Sequence, residues 1–219
     1  MWDEAVVKMI GWGILESLYM VFFSSLIAYA IGLPIGILLV ITDKDGITPH
    51  ILLNKIVGVI VNLLRSVPFI ILLITVSPLT KAIVGTTIGS TAVVVPLIIA
   101  SAPYIARLVE SSLKEVNKGV IEAAQSMGAT PFQIIFKVLL PEAKPSLIIG
   151  SAIAVTTILS YSAMAGFVGG GGLGDIAIRY GYYRYETGIM IVTVIILVLI
   201  VQIIQELGAK WMKSADKRL

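Results

Sequence analysis

The chain has no cysteine and a single histidine among its 219 residues. It therefore offers no disulfide framework and no cysteine-ligated metal site. His50 stands alone in a short polar stretch, without the partners that a metal ion needs. No segment reads G-x-x-x-x-G-K-[ST], so nothing is shaped to cradle nucleotide phosphates. No nucleophile stands at a recognised spacing from a base. Charge is scarce as well: 13% of residues are charged, where a soluble domain carries about 25%. Apolar residues fill the gap, at 58% of the chain with a mean hydropathy of +1.00. The length would suit one or two soluble domains, but this balance puts the chain in a lipid bilayer. The net charge of +3 calls for no nucleic-acid partner.

Charges mark where the chain can cross. None falls between Glu16 and Asp43, Lys81 and Arg107, Lys144 and Asp175, or Glu186 and Glu206, and only Arg65 interrupts the stretch from Lys55 to Lys81. A helix needs about 20 apolar residues to cross the hydrocarbon. The pattern predicts an all-α membrane protein, one domain over 1–219, with five transmembrane helices near 18–41, 56–76, 84–105, 146–164 and 187–205. Pro34, Pro68, Pro96 and Pro103 lie in or near four of these stretches. Helix breaks in a bilayer are tolerated where neighbours or a wet cavity satisfy the freed carbonyls. Asp3 and Glu4 precede the first apolar run, where a cleavable signal peptide would carry positive charge, so none is expected.

Five spans put the termini on opposite sides, and the basic residues choose the sides. Lys210, Lys213, Lys217 and Arg218 crowd the C-terminal tail, whereas Lys8 faces Asp3 and Glu4 at the other end. With the tail in the cytoplasm, the outer side holds only Lys8, Lys81, Arg179 and Arg184, and all other basic residues but Arg65 fall inside. Residues 117–141, between the third and fourth spans, are then cytoplasmic.

That stretch is polar and structured by its own residues. Asn117 can cap a short helix through Ile121, Ala124 and Met127. Gly128 can end it in a left-handed conformation. Thr130, Pro131 and Gln133 form the start signal of a second helix, with a capping box and Pro at the first helical position. The second helix is expected to stop at Pro141. A rigid helix–turn–helix knob results. Glu122, Ala123 and Ala124, then Gly128, then Leu140 and Pro141 stand at the spacing E-A-A, three residues, G, nine residues, V-L-L-P. This resembles the cytoplasmic EAA loop of permease subunits of ATP-binding-cassette importers, the loop that docks on the ATPase.

Other features carry less. Arg65 is the one charge deep in a span and suggests a clamp or a pathway residue. Met164 and Phe167 sit at the mouth of a glycine-rich stretch, SYSAMAGFVGGGGLG, and are candidate gate residues. Gly169, Gly171 and Gly174 match G-x-G-x-x-G, but no βαβ unit surrounds them, so a folded or flexible outer loop is expected instead of a nucleotide site. Tyr180, Tyr182, Tyr183 and Tyr185 read as an interfacial aromatic belt, and Trp211 as its inner counterpart. Arg107, Glu110 and Lys114 read as a solvated, charge-paired helix face.

Over nearly the whole chain, the stretches RSVPFIILL, APYIARLVE and YSAMAGFVGGGGLG are similar to the permease of bacterial methionine importers. Val138, where Ile is commoner, is a conservative departure. The resemblance implies a homodimer in the bacterial inner membrane, two cytoplasmic ABC ATPase subunits holding ATP and Mg, and an outer substrate-binding lipoprotein. It implies methionine as the substrate, moved by alternating access, with no cofactor on this chain. In that family Glu122 and Gly128 are the marked loop positions. An ion-coupled transporter would want acidic residues inside the spans, and none falls within the five stretches as drawn. A permease for another amino acid or a short peptide stays open on sequence alone.

Overall fold

A computed structural model describes residues 4–215. Asp3, Lys217 and Arg218, used above for sidedness and leader arguments, lie outside them. The described residues are helical apart from short turns, with no strand among them. Its elements in order are α1 (Glu4–Ile41), α2 (Ile51–Ser66), α3 (Phe69–Thr75), α4 (Ser77–Val84), α5 (Ser90–Lys114), α6 (Lys118–Ser126), α7 (Pro131–Ile134), α8 (Leu140–Glu142), α9 (Lys144–Met164), α10 (Gly172–Ile176) and α11 (Thr187–Ala215). Among the described residues, four helical runs are long and apolar enough to cross a membrane, and the count is five when the bent pair α2–α3 is taken as one broken span. The all-α membrane class therefore stands.

Two boundaries differ from expectation. The first helix is already formed at Glu4, well before residue 18. Helix formation does not require apolar residues: Glu4 and Lys8 pair on the exposed helix surface, and Glu16 is half-buried against another element. The second crossing is not a straight span over 56–76: α2 and α3 meet at 101°. The cause is local. Val67, ahead of Pro68, is extended at φ −83°, ψ 123°, because the proline ring disfavours a helical residue before it. Pro34, Pro96 and Pro103 sit inside helices that continue through them.

The core is built around α5. More than half of its most apolar window is buried, 56%, against 11% for the peripheral α11. α1 lies directly on α5 because Gly32 and Gly36, one turn apart, leave room for it. A Cβ at Gly32 would come 2.7 Å from the Ala102 carbonyl, and one at Gly36 would come 2.6 Å from that of Ala106. Small residues at this spacing let two membrane helices approach backbone to backbone. Met20, Leu97, Ile105, Val109 and Ile158 fill the interior.

Two acidic residues, Glu16 on α1 and Glu110 on α5, lie on the long helices just outside the spans drawn from the sequence. Both have partners within the chain, described below.

Candidate functional site

The stretch 117–141 folds as a knob whose turn is closed almost entirely by its own backbone and caps. Asn117 Oδ1 accepts from the Gly119 N–H at 2.8 Å and starts α6. At the other end the Gly128 N–H donates to Gln125 O (2.9 Å) and the Ala129 N–H donates to Ala124 O (3.1 Å). Together with φ +78° at Gly128, these are the two bonds of a Schellman ending. Two residues on, the Thr130 N–H donates to Gln133 Oε1 (2.9 Å) and the Gln133 N–H donates to Thr130 Oγ1 (3.3 Å). The expected capping box is present, with Pro131 in the first turn.

The second helix does not stop at Pro141. It widens into a π-helical turn at Ile135–Leu139, passes through α8, and after Ala143 enters α9. A proline inside an α-helix loses one bond and its ring meets the carbonyl four residues back. The wide turn just upstream lets the chain pass Pro141 without that ideal register. The knob is thus joined helically to the fourth crossing.

One face of the knob is anchored. Ala124 (5% exposed), Ile134 (1%) and Leu139 (1%) enter the main hydrophobic cluster. The opposite face is open: Glu122, Ala123, Gly128, Thr130, Pro131 and Pro141 are exposed, and Leu140 is half-buried. Exposed apolar side chains crown it, with Met127 at 81% and Phe132 at 69%, and the Phe132 ring lies 4.4 Å from that of Phe136.

Behind α6 lies a cavity of about 400 Å³ that Glu122 shares with Asp43, Lys114 and Lys118. Here the sequence reading of Arg107, Glu110 and Lys114 as a solvated face is corrected. Glu110 is buried. It accepts from Arg107 Nη1 at 2.5 Å and from Lys114 Nζ at 2.9 Å. Arg107 Nη2 also donates to Gly58 O (3.0 Å) and Asn62 Oδ1 (2.8 Å) on α2. Lys114 reaches Asp43 Oδ2 at 3.0 Å in the α1–α2 turn. Glu110 and much of Arg107 are covered because α2 and that turn pack over them, while Lys114 stays exposed at the edge. The hydrogen bond from Lys114 holds the Asp43 carboxyl below its ordinary pKa. His50 caps α2, its Nδ1 accepting from the Leu53 N–H. The Asp43 contact was invisible to sequence reading, because nothing in a single chain marks which distant element a charge will meet; the pairing of Glu110 with Arg107 and Lys114 was legible from their spacing.

The remaining candidates sit elsewhere. Arg65 ends α2 at the bend, exposed, its guanidinium carbon 6.0 Å from the centre of the Tyr104 ring. Phe69, just past the bend, stacks on Tyr161 at 4.7 Å and 4°. Met164 and Phe167 are both exposed, at 43% and 57%, and follow Tyr161 on the same helical run. The glycine stretch is a packed turn: Gly172 to Ile176 are all buried. Tyr185, at φ +57°, is 88% exposed.

Residues 32–214 match the family described as binding-protein-dependent transport system inner membrane component. The chain is 53% identical over 203 residues to the "Probable D-methionine transport system permease protein MetI" of Vibrio cholerae, covering 93% of this chain and 90% of that protein. It is 47% identical over 164 residues to the D-methionine transport system permease protein MetI of Escherichia coli K12, covering 75% and 76%. Among solved structures, it superposes with a TM-score of 0.97 on a chain from inward facing conformations of the MetNI methionine ABC transporter, at 44% identity and covering 99% and 100%. An amino acid ABC transporter with histidines shares the fold at a TM-score of 0.72 and 21% identity.

Proposed function

We propose a function that proceeds from one premise: the chain belongs to the family of binding-protein-dependent transport system inner membrane components. It is the permease subunit of an ABC importer. We infer that its substrate is methionine, following the close relatives named for D-methionine and the structural neighbour named for methionine.

The observation that carries the reading is the knob. A turn locked by a Schellman ending and a capping box, crowned by Met127 and Phe132, is built to be pushed without deforming. ATP hydrolysis then belongs to partner ATPase subunits, which hold ATP and Mg and dock on residues 117–141, with Glu122 facing them beside the cavity. The helical join through Pro141 carries their motion into α9. A second copy of the chain completes the pathway. Arg65 supports the homodimer, because an arginine exposed within apolar sequence is expensive against lipid, and a second copy over the α2–α3 bend would cover it. The likeness to an inward facing neighbour supports reading this state as closed to the outside. Met164 and Phe167 then line the closed outer mouth, where a substrate-binding lipoprotein delivers methionine.

The test is reconstitution of the chain with its ATPase and loaded binding proteins in lipid vesicles. Methionine-loaded binding protein should raise ATP hydrolysis and drive methionine uptake. Stimulation by another loaded amino-acid binding protein, and none by methionine, would overturn the substrate assignment. Sidedness is tested separately in this cysteine-free chain. A membrane-impermeant thiol reagent applied outside should label Tyr185→Cys and not Lys118→Cys. Outside labelling of Lys118→Cys would sink the cytoplasmic knob.

A further inference from the structure

The glycine turn between the fourth and fifth crossings is moulded onto a carboxylate that the transport reading leaves unused. Glu16 Oε2 accepts a hydrogen bond from the Gly172 N–H at 2.7 Å, and Ser17 Oγ accepts one from the Leu173 N–H at 2.9 Å. In each pair the partners are 156 residues apart. These N–H groups open α10, whose own N-cap, Gly171, has no side chain to offer them. The glycines are spatially required. A Cβ at Gly171 would lie 2.9 Å from Glu16 Oε2, and one at Gly172 would lie 2.6 Å from Ser17 Oγ. Both residues also hold φ +76°. The turn is tied on its other side as well, by the Gly89 N–H donating to Gly169 O at 2.9 Å.

We propose that Glu16 is a positioning residue of the transport cycle: with Ser17 it clasps the outer turn onto the first span while the outer mouth is closed, and the clasp parts when that mouth opens. This rests on the reading above that the turn faces outward and that the state seen is closed there. A carboxylate on a membrane-crossing helix needs donors, and buried backbone N–H groups need acceptors. Separating α1 from α10 strands both at once, so the contact favours one discrete closed arrangement. A charge-assisted bond of this kind is roughly twice as strong as a neutral one. Glu16→Gln keeps an acceptor oxygen and loses the charge, and Glu16→Ala loses both.

The experiment uses the complete reconstituted complex with one reporter, Ser162→Cys. Ser162 is 1% exposed and precedes the turn on α9. The rate of its reaction with a membrane-impermeant maleimide is measured without nucleotide, with reagent applied from each side in turn. With Glu16 intact, labelling should be slow. Glu16→Ala should accelerate it by about tenfold and Glu16→Gln by about threefold, in line with losing the whole bond or only its charge. The same order should appear as raised ATP hydrolysis without substrate and reduced uptake per ATP. Equal labelling rates in all three backgrounds would overturn the clasp. If Glu16→Ala does not assemble, Glu16→Gln decides alone: a rate equal to that with Glu16 overturns the proposal, and a faster one upholds it. The side from which label enters reports sidedness independently, so acceleration seen only from the inner side would refute the outward orientation and leave the clasp standing.

Discussion

The knob of residues 117–141 and the glycine turn of residues 169–172 are built from the same parts and held in opposite ways. Each joins helical pieces through glycine at positive φ. The knob is closed by bonds that span only a few residues, and a Cβ at Gly128 would meet nothing within 4 Å. The outer turn borrows its caps from α1, 156 residues away, and its glycines are hemmed in by side chains and backbone. Local closure yields a part that keeps its shape when moved. Borrowed closure yields a part whose shape depends on where its neighbour stands. The first property suits the coupling role proposed for the knob, and the second suits the clasp proposed for the turn.

The largest effect should come from filling the outer turn. Gly172→Val combines a left-handed strain of about 1–2 kcal/mol with overpacking against Ser17 and Met20 worth about 1–3 kcal/mol. The detergent-solubilised complex should melt markedly lower or fail to assemble. A wild-type melting temperature would break the contrast. Gly128→Val meets the same strain in open space, so it should lose only about 1–2 kcal/mol. We expect a subunit still inserted and dimeric with uptake lost, since the second helix is misaimed. Wild-type uptake in that variant would show that the knob needs no fixed turn.

Thr130→Ala is milder. It removes a cap worth about 1 kcal/mol from a helix that Ile134 and Leu139 still anchor. Uptake per ATP should fall partially, with ATPase association intact; complete loss of association would make Thr130 a docking contact. The smallest effect concerns Asp43, the knob's long-range neighbour. Its folded pKa is lowered by Lys114 from 3.8. Its contribution is therefore complete above the ordinary carboxylate value and lost as pH falls through the lower folded one. The melting difference between wild type and Asp43→Asn should be flat from about pH 6 to 8 and shrink only below about pH 4. A difference that changes between pH 6 and 8 would assign the pH dependence to a group other than Asp43.

The same contrast explains what the sequence could disclose. Asn117, Gly128, Thr130, Pro131 and Gln133 act on neighbours within a turn or two, so their spacing was enough to draw the knob. Four long apolar runs announced their crossings by length. The break at Pro68 was legible as a proline among others, but only the extended Val67 singled it out. Pro141 misled because its effect depends on a π turn that no residue pattern announced. The contacts of Glu16 and Asp43 were unreadable for a different reason. Asp43 meets Lys114 through the packing of α1 on α5, which rests on the close approach at Gly32 and Gly36, and Glu16 meets the Gly172 N–H through the packing of α10 on α1.

The first helix has one more consequence, for the membrane itself. At about 1.5 Å per residue its 38 residues reach about 57 Å, well beyond the roughly 40–45 Å of a whole bilayer with its headgroups. Trp12, 65% exposed, is suited to anchor at the lipid–water boundary. From there to Ile41 an upright helix covers about 44 Å, which leaves the Glu4–Lys8 ion pair on a stub standing in water. Glu16, one turn below Trp12, then lies at the depth where headgroups give way to hydrocarbon. Bilayer thickness should therefore tune this permease: short-chain lipids would lift Glu16 and its turn into water, and long-chain lipids would draw them into oil.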